Sequence, residues 1–292
     1  MSIQGQLKTR ELKPGFGVEI LDFDVRKANG DTKKQIAKLF NLHGGLLLRN
    51  QNLDDPDDMM KFAEIFGEPE GHTQTQFTLK GYPKIYLLSN KKENGVPVGA
   101  HFDGVGWHTD YSYVEEPVKQ TMVYSLEIPA EGGDTILTDL CAAYNALPEK
   151  RQKELDKLIL HHSYKHFMET REHGRKTLSP EMEAANPDVF HPLVRTHPEN
   201  GRKALWISTG TVKEIVGIPN PEGMEILDEL LEFVTQDEFT LRHKWQVGDV
   251  ITWDNRCTLH TGTLFDDEKY TRYAYRLWIK GDKPYGPATA QS

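Results

Sequence analysis

The chain has 292 residues, with 35 basic and 44 acidic side chains and a formal net charge of −9. Apolar residues at 37% and charged residues at 27% describe a globular protein and exclude disordered and fibrous classes, while the acidic balance argues against non-specific nucleic-acid binding, which needs a clustered cationic surface. At this length two average domains or one large β-rich domain both fit, and a chain of this size buries roughly three quarters of its unfolded surface, enough for an enclosed, water-poor site.

In chain order, Asp31 is placed to cap a helix whose Ile36, Leu39, Phe40 and His43 share a face and which Gly44 ends. Gly45–Leu48 reads as a strand. Asp55-Pro56 opens a second helix carrying Met59, Met60, Phe62, Ala63 and Phe66, stopped by Gly67. A strand at Lys84–Ser89 leads into residues 91–106, rich in glycine and weak in periodicity, which read as an active-site loop. Strands follow at Gln120–Leu126 and Thr135–Thr138, then a third helix around Cys141 to Leu147 that continues after Pro148 towards His161. Ala204–Ser208 is a strand, and Pro221–Val234 a fourth helix with Ile226, Leu227, Leu230, Leu231 and Val234 inward. Strands at Phe239–Trp245, Val250–Trp253 and Arg272–Lys280 complete the series.

Many short strands with glycine and proline turns predict a mainly β protein with flanking helices, an antiparallel barrel or jelly roll. The lack of strand–helix alternation disfavours a doubly wound parallel sheet. No internal repeat and no apolar run of ~20 residues stands out. The opening Met1–Gly5 lacks the pattern of a secretory signal, and Cys141 and Cys257 form no CxxC pair. The expectation is a cytoplasmic protein without membrane or nucleic-acid partners, built as a single domain over residues 1–292.

The chemistry concentrates in a few places. Gly106-Trp107-His108-Thr109-Asp110 sets an imidazole and a carboxylate two residues apart, on one face if the backbone is extended. Alone this also reads as a surface pair. About 150 residues later Trp253-Asp254-Asn255-Arg256-Cys257-Thr258-Leu259-His260 delivers a second histidine after an apolar strand. Two histidines and one carboxylate make a facial triad with open positions, suited to non-heme Fe(II) that activates oxygen. Arg272 and Arg276 share a parity on one strand, roughly 13 Å apart by strand rise. Facing inward they are costly unless they pair with anions, one from a co-substrate carboxylate and one from the substrate. On an edge strand they would simply be solvated.

Together these residues, with Gly132-Gly133-Asp134-Thr135, Ala142-Ala143-Tyr144-Asn145-Ala146-Leu147, His191-Pro192-Leu193-Val194-Arg195-Thr196-His197-Pro198 and Gly281-Asp282-Lys283-Pro284, give the chain a resemblance over nearly its whole length. It resembles the 2-oxoglutarate-dependent dioxygenases of the taurine and 2,4-dichlorophenoxyacetate dioxygenase family. The resemblance implies a double-stranded β-helix, with Fe(II) held by His108, Asp110 and His260. It implies 2-oxoglutarate held by Thr135 and by Arg272 at its distal carboxylate, and O2 as co-substrate. Arg276, and less distinctly His72, match residues that hold the primary substrate. The implied reaction hydroxylates a small anionic organic molecule (a sulfonate, carboxylate or sulfate) and yields succinate and CO2. A hydroxylated carbon bearing a heteroatom would then release the anion. Asp110 favours hydroxylation over halogenation, since halogenating relatives carry a small residue there. Desaturation of an amino-acid-like substrate, a non-oxidative metalloenzyme and an anion-binding barrel are the alternatives. A homo-oligomer is the family-level expectation.

Thr75 and Thr211 stand where taurine dioxygenases carry aromatic residues, and the loop 94–106 differs from theirs, which turns the reading away from taurine itself. His162 and His166, four apart, would share a helical face; they read as structural or as metal ligands. His101 reads as an entrance or loop residue. Tyr111, Tyr113, Phe102 and Phe167 read as substrate contacts or core, Trp107 and Trp253 as the dry wall of the iron site, and Cys257 as a buried inert thiol. There is no Walker loop, HExxH helix or GxSxG elbow.

Overall fold

The structure is a computed structural model that describes residues 6–72, 75–101, 104–170 and 177–289. Phe102 therefore lies outside the described residues, as does part of the 91–106 loop. The largest sheet is mixed and has nine strands. Its main path runs Thr9–Lys13, Phe16–Ile20, Gly45–Leu48, Val250–Asp254, Gln120–Glu127, Tyr273–Ile279, Tyr82–Ser89 and Thr78–Leu79, with Pro69–Glu70 beside Tyr273–Ile279. Only Phe16–Ile20 and Gly45–Leu48 pair in parallel. The helix Gly30–His43 fills their crossover, as a parallel connection requires.

This sheet is buried on both faces. Leu46 and Leu48 point to one side with Met122, Tyr124, Tyr275 and Leu277, and pack on Ile36 and Phe40 of Gly30–His43 and on Met59 and Phe62 of Pro56–Ala63. Leu47 points the other way with Val123, Ile251, Trp253 and Trp278, towards a three-stranded sheet ordered Thr240–His243, Thr135–Asp139, Thr258–Gly262. The run Gly45-Leu46-Leu47-Leu48 is continuously apolar because each parity has a core of its own. The helices Leu140–Ala146, Glu149–Leu155 and Glu222–Val234, with the strands Ile159–His162, Val189–Pro192 and Val212–Ile215, enclose a separate core around Leu160, Leu193, Leu205 and Leu227.

Most expected elements form, with shifted ends. Asn29, not Asp31, caps the first helix, its side chain accepting from the backbone of Asp31 and Thr32. Gly44 closes that helix at φ +68°. The third helix breaks at Pro148 into Leu140–Ala146 and Glu149–Leu155, and the expected continuation to His161 is instead the strand Ile159–His162. Arg272 precedes its strand, which begins at Tyr273. The strands Thr9–Lys13 and Phe16–Ile20, and the helices Tyr164–Thr170 and Pro180–Ala185, had no sequence reading. The mainly β class holds. A closed barrel does not: among the described residues the sheets remain separate, open paths. No helix among the described residues is long and apolar enough to cross a membrane.

Candidate active site

Strand parity decides which side chains meet between the two facing sheets. In the small sheet Thr135 lies opposite Gly262 and Leu137 opposite His260, so Thr135 and His260 project from one face. In the large sheet Trp278 lies opposite Thr121 and Arg276 opposite Val123, which sets Arg276, Trp278 and Thr121 on the face that looks back.

His108 is tied to this seam by main-chain bonds. Its N–H donates to the His260 carbonyl at 3.0 Å and its carbonyl accepts from His260 at 2.8 Å. This is where the sequence reading needs correction: His108 occupies the isolated bridge rather than a strand, and Asp110 begins a turn. The chain reverses at Tyr111, whose φ of +58° is uncommon for a bulky residue.

The outcome is one cluster. One ligand atom from each of His108, Asp110 and His260 lies within 4.8 Å of the other two. The Nε2 atoms of His108 and His260 stand 3.6 and 3.7 Å from the Asp110 oxygens, too far for hydrogen bonds but close enough for three donors to share one ion. Nδ1 of His108 meets the Gly106 carbonyl at 2.7 Å, which fixes the ring and turns Nε2 inward. His260 is buried, and neither of its ring nitrogens has a hydrogen-bond partner among the described residues. Burial, helped by the His108 and Arg276 charges, pulls its pKa well below the usual imidazole range, so the ring is neutral. A buried neutral imidazole without a partner fits a bound cation.

Asp110 is the electrostatic centre. Burial alone would push its carboxyl up; the Arg276 guanidinium above all, with the Thr121 hydroxyl bond, more than offsets that and holds it far below the usual carboxylate range. Nη2 of Arg276 is 2.6 Å from both Asp110 oxygens. The hydroxyl of Thr121 donates to Oδ2 at 2.5 Å and the indole N–H of Trp278 at 3.0 Å. Asn255 donates to the Thr121 oxygen at 2.8 Å, and its own carbonyl accepts from Thr109 and Trp206.

A pocket at the seam is walled by Thr135, His260, Arg272, Arg276 and Trp253. Four of the expected site residues therefore share one wall. The Thr135 hydroxyl accepts from the Trp245 indole at 3.2 Å. His72 stacks on Trp278, the ring that contacts Asp110, and on Tyr86, so it stands one indole from the cluster. Tyr111, Tyr113 and Phe167 continue the aromatic wall. Trp253 lies 4.6 Å from the His260 ring, whereas Trp107 packs in the second core.

The other residues separate from the site. Thr75 is exposed. Thr211 is buried and bonded to Ser112 and His162. His162 sits on a strand and His166 on a helix, so they share no helical face. His101 pairs with Asp267 at 2.8 Å. A hydrogen bond with Cys141 and then burial push the Cys257 thiol well up, consistent with an inert role.

Residues 8–278 match the family described as Taurine catabolism dioxygenase TauD, TfdA family. The chain belongs to that family. It is 36% identical over 268 residues to an alpha-ketoglutarate-dependent 2,4-dichlorophenoxyacetate dioxygenase of Cupriavidus pinatubonensis, covering 87% of this chain and 91% of the relative. It is 30% identical over 288 residues to an alpha-ketoglutarate-dependent sulfonate dioxygenase of Saccharomyces cerevisiae, covering 96% and 68%. Among solved structures it resembles a taurine dioxygenase from Burkholderia xenovorans, with TM-score 0.79, 28% identity and coverage of 98% and 94%. It also resembles AAD-2 in complex with Mn(II) and N-oxalylglycine, with TM-score 0.81, 27% identity and coverage of 96% and 99%.

Within this family member, Thr121, Trp278 and Asn255 are the site residues that motif reading misses. Their signal is faint: Gln120 and Thr121 are two polar residues immediately before the apolar run Met122-Val123-Tyr124, and both are fully buried.

Proposed function

We propose that the protein is an Fe(II)- and 2-oxoglutarate-dependent dioxygenase that hydroxylates a small anionic organic substrate and forms succinate and CO2. The observation that carries the proposal is the convergence of His108, Asp110 and His260, with neither His260 ring nitrogen bonded to a protein group. Two imidazoles and a carboxylate on one side of an ion suit Fe(II) and leave positions for 2-oxoglutarate and O2. When bound, the iron supplies the redox chemistry that couples decarboxylation of 2-oxoglutarate to oxidation of a C–H bond.

The chain's own contribution is positioning. In this reading Thr135 and Arg272 hold the two ends of 2-oxoglutarate from one pocket wall. Arg276 holds the substrate's anionic group and so turns a chosen C–H bond towards the metal. His72 lines the substrate side, and the aromatic rings around it exclude water. We read the two facing sheets as an open double-stranded β-helix, a jelly roll in one domain over residues 1–292, working in the cytoplasm. A sulfonate, an aryloxyalkanoate or a sulfate ester each offers Arg276 the anion it needs; the relatives named for 2,4-dichlorophenoxyacetate and for sulfonates support that range.

The test is to add Fe(II) and then 2-oxoglutarate without oxygen. A visible charge-transfer band is expected; a colourless protein, or turnover of any substrate without oxygen, refutes the reading in favour of a hydrolase, an isomerase or an anion-binding barrel. Substrate-triggered oxygen uptake across a panel of such anions then identifies the substrate. Arg272→Ala raises the 2-oxoglutarate requirement, whereas Arg276→Ala impairs use of the primary substrate. The opposite pattern overturns the two assignments.

A further inference from the structure

Arg276 does not only face the pocket. It is buried, 4% exposed, and its Nη2 lies 2.6 Å from both oxygens of Asp110 while its guanidinium carbon sits 4.7 Å over the Trp278 ring. Trp278 and Thr121 contact the same carboxylate. An ion held by His108, Asp110 and His260 must take one of those oxygens and would then stand beside a guanidinium of like sign. The same arginine lines the pocket with Arg272, Thr135 and His260. An anion arriving there offers the guanidinium a second partner and neutralises its charge.

We propose that Arg276 is a cation shared between Asp110 and the substrate's anionic group, so that metal binding and anion binding favour each other through it. Without metal, Arg276 satisfies the buried carboxylate and keeps it ionised. With metal bound, the carboxylate's charge is shared with the ion, and the guanidinium is released to hold the anion. The coupling is reciprocal: whatever draws Arg276 off Asp110 tightens the metal, and the metal in turn tightens the anion. Arg276 thus screens the charge of Asp110 in addition to contacting substrate. The proposal rests on the reading of the triad as the metal site. It makes a claim a plain structural ion pair does not, because losing a structural partner of Asp110 would disorder the carboxylate and weaken the metal.

The experiment is a titration with Mn(II), followed by the loss of the free-ion paramagnetic resonance signal, on the wild type, Arg276→Gln and Arg276→Lys, with inorganic sulfate as probe anion against chloride at equal ionic strength. Arg276→Gln is expected to bind Mn(II) about ten-fold more tightly, because a buried positive charge beside the ion is gone. Arg276→Lys stays close to the wild type. Sulfate tightens Mn(II) on the wild type and leaves Arg276→Gln unmoved. Equal or weaker binding by Arg276→Gln, or sulfate acting on both proteins alike or on neither, overturns the proposal. Should Arg276→Gln fail to fold, the wild-type response to sulfate alone decides. A wild type that binds no Mn(II) refutes the metal-site reading itself, a result distinct from intact binding without coupling.

Discussion

Replacing Thr121 by valine keeps the side chain's shape and removes its oxygen. That oxygen donates to Asp110 at 2.5 Å and accepts from Asn255 at 2.8 Å, all three residues being buried. Losing a hydrogen bond to a charged group costs about 1.5–3 kcal/mol, and leaving the Asn255 amide without a partner about 1–3 kcal/mol more. Together these lower the melting temperature by roughly 5–10 °C for a domain of this size. The metal should suffer separately, since a partner that orients a ligating carboxylate is typically worth about 10–100-fold in affinity. Thr252→Val is the control. Its hydroxyl accepts from Gln120 at 2.7 Å and donates to the Thr121 carbonyl at 2.8 Å, so it loses a comparable pair of buried bonds without touching Asp110. Thermal unfolding and Mn(II) titration of both variants should show similar destabilisation but weakened metal binding only in Thr121→Val. If Thr121→Val binds Mn(II) like the wild type, or Thr252→Val weakens it equally, Thr121 does not orient the ligand.

Burial pulls the His191 pKa down to about 4, outweighing the opposing effect of its bond to the Val114 carbonyl. The unfolded state therefore binds a proton that the folded state refuses between about pH 6.5 and about pH 4, and the stability present above that window falls by about 3 kcal/mol across it. Unfolding of His191→Gln at a series of pH values should give a shallower slope in that window; an unchanged slope refutes the assignment. Arg195 is fully buried, with a carboxylate partner in Asp282 at 2.9 Å. Asp282→Ala strands that charge and should cost about 3 kcal/mol in denaturant melts while leaving Mn(II) affinity intact, and a variant as stable as the wild type contradicts it.

What was legible in the sequence follows from where the information sits. The apolar strand Gly45–Leu48, the Asp55-Pro56 helix start and the Gly44 stop are local, and each appears in the structure at the position its pattern implies. His108 and Asp110 alone read equally as a surface pair; it was His260 and the family motifs taken together that singled out the three residues whose donor atoms lie within 4.8 Å of one another. Their backbone was not legible: His108 meets His260 through an isolated bridge between residues 152 apart, a contact that no local propensity encodes, and a turn follows at Asp110 and Tyr111. The support of Asp110 was hidden for the same reason, since Thr121, Asn255 and Trp278 reach it from three different segments. Gly281 carries its meaning only in three dimensions, because a Cβ there would sit 1.9 Å from the Pro117 carbonyl.

A second cluster of the same residue types shows why the identity of the side chains does not by itself make a metal site. His197, Asp254 and Cys257 also bring their donor atoms within 4.8 Å of one another, and all are buried. Yet Arg256 takes both Asp254 oxygens, at 2.8 and 2.6 Å, and both ring nitrogens of His197 are engaged, one by Asp254 and one by the Glu199 amide. The cations already present satisfy the carboxylate, and no donor is left to hold an ion. Around Asp110 the carboxylate is equally satisfied, but His260 is not, and its two nitrogens have no hydrogen-bond partner among the described residues. A buried polar atom without a partner costs about 1–3 kcal/mol, a cost that a folded chain carries where a ligand removes it. The chain contains a closed cluster and an open one, and the difference lies in one imidazole. A substitution that gives His260 a protein partner should therefore abolish Mn(II) binding, even though placing a polar group in this core costs stability. Leu137→Asn, on the residue paired with His260 across the small sheet, is the variant to make. Loss of stability without loss of metal would show that the open imidazole is not what defines the site.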